Sequence, residues 1–146
     1  MANLSKLDQE FVTKAAQDGL VEIKMAKLAQ KKAHSDRLKD FANVMLDDHS
    51  LAKQRLEEVA KQIGIKLPKQ LSESQKNLVD KMSKYKGDQF DRHFVSTILQ
   101  EHKKDVSLYH RESEHGGNDE LKHLAAEIAP VLEKHLDMAQ SMQSGA

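Results

Sequence analysis

The sequence predicts an all-α protein, an antiparallel four-helix bundle with a long crossover between its two halves. Three observations carry this. Hydrophobic residues make up only 38% of the 146 residues and charged ones 32%, with a mean hydropathy of −0.69. A chain this polar needs elements that each bury one narrow apolar stripe, and amphipathic helices supply them. Two prolines, six glycines and 4% aromatics are too few for the turns and strands of a β-sandwich. Four long stretches carry apolar residues at threes and fours.

The first stretch spans about 6–33. Ser5-Lys6-Leu7-Asp8 reads as a capping box, with Asp8 in place of the usual Glu. Leu7, Phe11, Ala15, Met25 and Ala29 form its stripe. The second spans about 35–63, with Ser35 as N-cap, a stripe of Leu38, Phe41, Met45, Ala52, Leu56, Val59 and Ile63, and Gly64 as its stop. The Ala33-His34 link is short, so these two helices are expected to be antiparallel neighbours. Residues 64–87 form the crossover, broken by Pro68, with Ser72 or Ser74 capping a short helix through Met82 and Gly87 closing it. The third long helix is expected over 88–114, with Phe94, Val95, Ile98, Val106 and Tyr109 inward. Gly116-Gly117 stops it, and Asn118 caps a fourth helix over 119–141. That helix carries Leu121, Leu124, Ile128, Val131, Met138 and Met142 on one face, a proline at Pro130 that should kink it, and a frayed 142–146 tail. Residues 1–146 thus read as one domain. Two short-loop hairpins joined by a long crossover is the ferritin-like arrangement.

Composition narrows the function. Lys plus Arg and Asp plus Glu are both 23, and no basic stripe stands out, so no nucleic-acid partner is expected. Cysteine is absent, which excludes disulfides and thiolate chemistry. No apolar run approaches the roughly 20 residues of a membrane span. No signal peptide is visible at Met1, so the chain as it stands reads as cytoplasmic, or as periplasmic if a leader has been removed. No P-loop, dinucleotide-binding glycine turn or Ser–His–Asp order is present, so no nucleotide cofactor is expected.

The informative residues are polar ones inside the apolar stripes. Stepping 100° per residue places Asp18 and Glu22 on the first stripe and His49 on the second. Asp91, His102 and Asp105 share the third, and His135 lies on the fourth. At about 1.5 Å per residue, Glu22, His49, His102 and His135 come within roughly one to two turns of one level if the crossover returns the chain to the first hairpin end. Buried groups of this kind cost roughly 1–3 kcal/mol each unless partnered. A single transition-metal ion (Zn, Fe, Mn or Cu) would satisfy all four as ligands. Asp48, Asp91 and Asp105 are the expected supporting residues; Asp91 has the simpler role of bonding backbone near its helix start. Asp18 is expected to face solvent at a bundle end. Two plainer assignments stay open: a hydrogen-bonded polar core that fixes helix register, and a small-ligand pocket between the helices. His34, His93, His110, His115 and His123 lie at turns or off the stripes.

Phe11 to Ala16, Gly19-Leu20-Val21-Glu22, Phe41-Ala42 with Met45 to Ser50, Leu67-Pro68, Phe90-Asp91 and His102, with His135 in the last helix, resemble a bacterial ferritin-like family of unknown function. Its members are often labelled outer-membrane or periplasmic proteins. The resemblance runs from about Leu7 to Met142 and implies a ferritin-like bundle without implying a particular chemistry. Ferritin-type di-iron sites use Glu-x-x-His on two helices, whereas Leu46, Leu99 and Leu132 stand three residues before His49, His102 and His135. A mononuclear, histidine-rich site in metal homeostasis or stress defence is the expectation. Catalysis is left open, and redox or peroxide chemistry would require an open coordination position. The metal, any substrate and the oligomeric state are left open.

Overall fold

The computed structural model describes residues 3–145. Five helices account for nearly all of them: α1 (Lys6–Lys32), α2 (Asp36–Ile63), α3 (Glu73–Ser83), α4 (Gly87–His115) and α5 (Asp119–Gly145). No strand occurs among the described residues. The helix starts follow local chemistry. Ser5 and Asp8 form a reciprocal capping box on α1, and Ser72 and Gln75 form another on α3. The Ser35 hydroxyl accepts from Leu38 N–H, and the Asn118 amide oxygen accepts from Leu121 N–H. Helix α5 passes through Pro130 and, contrary to the frayed tail expected from 142 onward, is helical to Gly145; Ala146 lies outside the described residues.

Gly64 ends α2 in the left-handed region at φ 75°, where a Cβ crowds the following carbonyl. Gly64→Ala should therefore cost about 1 kcal/mol and lower the melting temperature by roughly 2–4 °C. A calorimetric scan that shows no change would mean the α2 stop is set elsewhere.

Cross-chain bonds fix the topology. Asp91, near the start of α4, accepts the backbone N–H groups of His34 (2.8 Å) and Ser35 (2.9 Å) in the α1–α2 link. At the other end, Asp8 near the start of α1 accepts Gly117 N–H in the α4–α5 link at 3.0 Å. Helices α2 and α4 therefore start at the same end, and the crossover carries the chain back along the bundle. The order is up, down, down, up, with each neighbouring pair antiparallel. This is the ferritin-like arrangement.

The core divides into two apolar clusters. One, at the α1–α2 link end, contains Met25, Phe41, Met45, Phe90, Phe94 and Ile98. The other, at the α4–α5 link end, contains Phe11, Leu56, Leu108, Leu121, Leu124 and Leu132. On every long helix one or more polar inward residues fall between the segments that feed the two clusters. Glu22 lies between Ala15 and Met25, and His49 between Met45 and Leu56. His102 lies between Leu99 and Leu108, and His135 between Leu132 and Ala139. A polar layer crosses the middle of the bundle.

Candidate metal centre

His49, His102 and His135 are 4%, 0% and 0% exposed. Their ring centroids form a near-equilateral triangle with sides of 5.4, 5.2 and 5.5 Å. One nitrogen from each ring can be chosen so that all three lie within 4.8 Å of one another. Each ring also has one nitrogen engaged by a neighbour. His49 Nδ1 stands 3.1 Å from Glu22 Oε2. His102 Nδ1 donates to the Ile98 carbonyl at 3.1 Å, since a carbonyl can only accept. His135 Nε2 meets Asp48 Oδ2 at 2.7 Å. The opposite atoms, His49 Nε2, His102 Nε2 and His135 Nδ1, are buried and have no hydrogen-bond partner. Fixing one N–H in this way leaves the remaining lone pair as the free function of a neutral imidazole.

Burial keeps these rings neutral. It pushes His102 down to about 4, with His135 adding to the effect. Burial also lowers His49, helped by His102 and His135. In His135 burial outweighs the opposing pull of Asp48.

The structure gives Glu22 a different place from the one expected of a fourth ligand. Its carboxyl stands against His49 Nδ1 and 3.4 Å from His102 Nδ1, the nitrogens these rings already use. Asp48 similarly backs His135. Asp105 is not against a ring; it lies within hydrogen-bonding reach of Glu22 and Asp18. Asp91 belongs elsewhere. Its carboxylate holds the α1–α2 link, and the 11 residues to His102 amount to about 16 Å along the helix. Asp18, expected at a solvent-facing bundle end, instead accepts from Gln75 Nε2 of α3 at 3.1 Å and joins the carboxyl cluster of Glu22 and Asp105. The crossover, whose path the sequence left open, made that partner invisible.

Burial pushes Glu22 up to about 8, with Asp18 also raising it and Asp105 partly opposing. Burial raises Asp105 well above the carboxylate range, with Glu22 next in effect. Tyr109 is raised by burial and then by Asp105. The remaining histidines stand apart from the triangle. His93 stacks on Tyr85 at 3.9 Å, and His110 pairs with Glu133.

A second buried carboxyl pair, Asp8 and Glu112, sits at the α4–α5 link end; they are 1% and 0% exposed. From the sequence Asp8 reads only as a capping residue, and Glu112 is not singled out. Its signal was present, because Glu112 follows Asp105 and Tyr109 on the same stripe at i+7 and i+3.

Fold and site together define a ferritin-like helical bundle with a buried three-histidine cluster that can hold a metal ion. The chain belongs to the family described as Domain of unknown function (DUF4142), whose model matches residues 1–142. Its backbone is similar to the crystal structure of a DUF305 fragment from Deinococcus radiodurans, with a TM-score of 0.84 over 99% of this chain and 100% of that one. At 12% identity, that likeness concerns the fold. No curated protein matches the chain. Among the described residues, no helix is long and apolar enough to cross a membrane.

Proposed function

We propose that the protein binds one transition-metal ion through His49, His102 and His135, and serves in metal homeostasis or stress defence. A single observation carries this: three buried imidazoles each keep one nitrogen without a partner, and one nitrogen from each ring lies within 4.8 Å of the others. A buried polar atom left unpaired costs roughly 1–3 kcal/mol, and three at one place make a poor core unless something joins them. Carboxylate and carbonyl groups on the far nitrogens are the usual backing of metal-bound histidine. Glu22 and Asp48 take that role, orienting the rings rather than ligating. Imidazole nitrogen suits Zn²⁺, Cu²⁺ and Fe²⁺ better than the hard ions Mg²⁺ or Ca²⁺. Three protein ligands leave at least one coordination position for water or a small molecule.

The test is the metal content of protein purified without chelator or affinity-tag metal, followed by titration with Zn²⁺, Cu²⁺, Fe²⁺ and Mn²⁺. One equivalent per chain is expected. A folded protein that binds none of these ions ends the proposal and leaves a polar core that fixes register. Asp48→Asn should lower affinity by roughly 10–100-fold, measured by competition against a chelator. An unchanged affinity would remove Asp48 from the role.

A further inference from the structure

Of the three rings in the triangle, only His49 has exposed side-chain surface: 4%, against 0% for His102 and His135. His49 also lines a cavity of about 500 Å³ that lies under the crossover residues Ile65, Leu67 and Pro68. Glu22, which stands against His49 Nδ1, lines it too, whereas His102 and His135 are not in its walls. The cavity therefore meets the triangle at one corner.

Size and lining suit passage. A divalent ion carrying six waters needs roughly 180 Å³, at about 30 Å³ per water, so it fits with room to spare. Lys53, Lys61 and Lys69 line the cavity together with Asp18, Glu57 and Asp105, and Lys53 pairs with Glu57 at 3.6 Å. Neither sign dominates, so the cavity offers an ion space rather than a second trap.

Gly19 is an independent sign. On α1 it stands four residues after Ala15 and three before Glu22, on the helix face that both turn to the cavity. Nothing lies within 4 Å of where its Cβ would stand, and its φ is not among the positive ones. Glycine is a poor helix former, and here neither close packing nor backbone geometry requires it. A longer side chain at this position would extend into the cavity.

We infer that this cavity is the path by which the ion enters and leaves the three-histidine site, with the His49 ring as its inner gate and the gap at Gly19 keeping it open. The inference rests on the metal reading above. Passage requires the His49 ring to swing from its Glu22 contact, and no helix has to part.

The test compares exchange rates in the full chain and in three variants. Uptake is read by mixing metal-free protein with Co²⁺ and following the absorption of the histidine-bound ion. Release is read by mixing zinc-loaded protein with excess chromogenic chelator. A plug raises the barrier in both directions and leaves both end states alone, so Gly19→Leu should slow uptake and release by at least about tenfold each, with affinity kept within about twofold. Ala52→Leu, which narrows the same cavity from α2, should slow both likewise. Gly19→Ala is the control: alanine gives the helix its full gain in propensity but adds only a methyl group, so its rates should stay near those of the wild type. Equal slowing in Gly19→Ala and Gly19→Leu would mean that exchange waits on helix opening, and would overturn the path. One equivalent of metal bound with unaltered exchange in both leucine variants would remove the path and leave the site. A folded protein that binds no metal would remove the site, and the path with it.

Discussion

His102→Ala should lower affinity for the proposed transition metal by on the order of 100-fold or more, with the helical fold kept. His102 is fully buried, and its Nε2 has no other partner. Its removal takes a corner from the triangle and leaves two imidazoles, too few for a stable site at this depth. The metal-free protein should change less. The Ile98 carbonyl loses only a secondary donor, and the vacated space lies between two intact apolar clusters. Competition titration against a chelator reads the affinity, and circular dichroism reads the fold. Undiminished binding would sink the three-histidine assignment. Collapse of the metal-free variant would instead favour a polar layer whose work is to set helix register.

Glu112→Gln should flatten the dependence of stability on pH. Burial, and then the acceptor Asp8, push Glu112 up to about 8 from its ordinary 4.5. Burial works against the ionised Asp8, but bonds from Glu112, Ser5 and Gly117 outweigh it and hold Asp8 below its usual value. The folded protein thus keeps a proton on Glu112 that the unfolded chain releases above 4.5. Stability is full below that pH, falls as pH rises toward about 8, and then levels off. Glutamine keeps a donor for Asp8 at every pH. The variant should match the wild type near pH 5 and melt several degrees higher near pH 8.5. Parallel melting curves at both pH values would show that the pair does not share a proton. Space at this corner is tight, because a Cβ on Gly116 would stand 2.6 Å from the Glu112 carbonyl oxygen.

The helices and their caps could be read from the sequence because their causes are local. Ser5, Ser35 and Asn118 bond within three residues. The stripe analysis also found His49, His102 and His135, because a 100° step puts them among apolar neighbours. It could not tell whether Glu22 would stand among the ligands or back the rings. Both roles need the same inward direction, and the difference is whether the carboxyl reaches past the rings or stops behind them. Asp91 shares the third stripe with His102, but its contacts are the backbone bonds near its helix start that were the simpler of its two expected roles, since periodicity gives angle more securely than height. Asp18 depended on Gln75, 57 residues away in the crossover. No local pattern carries a contact of that range.

The polar layer has a kinetic consequence. His102 and His135 have no exposed surface, and apolar clusters close the bundle above and below them. An ion held there leaves either when the helices part or past His49 into the cavity that this ring also lines, so its escape rate depends on ring and helix motion as well as on the strength of its bonds. Exchange with free ions in solution should then be slow compared with exchange at an open surface site. An ion once bound would then outlast, for a time, a change in the surrounding metal supply.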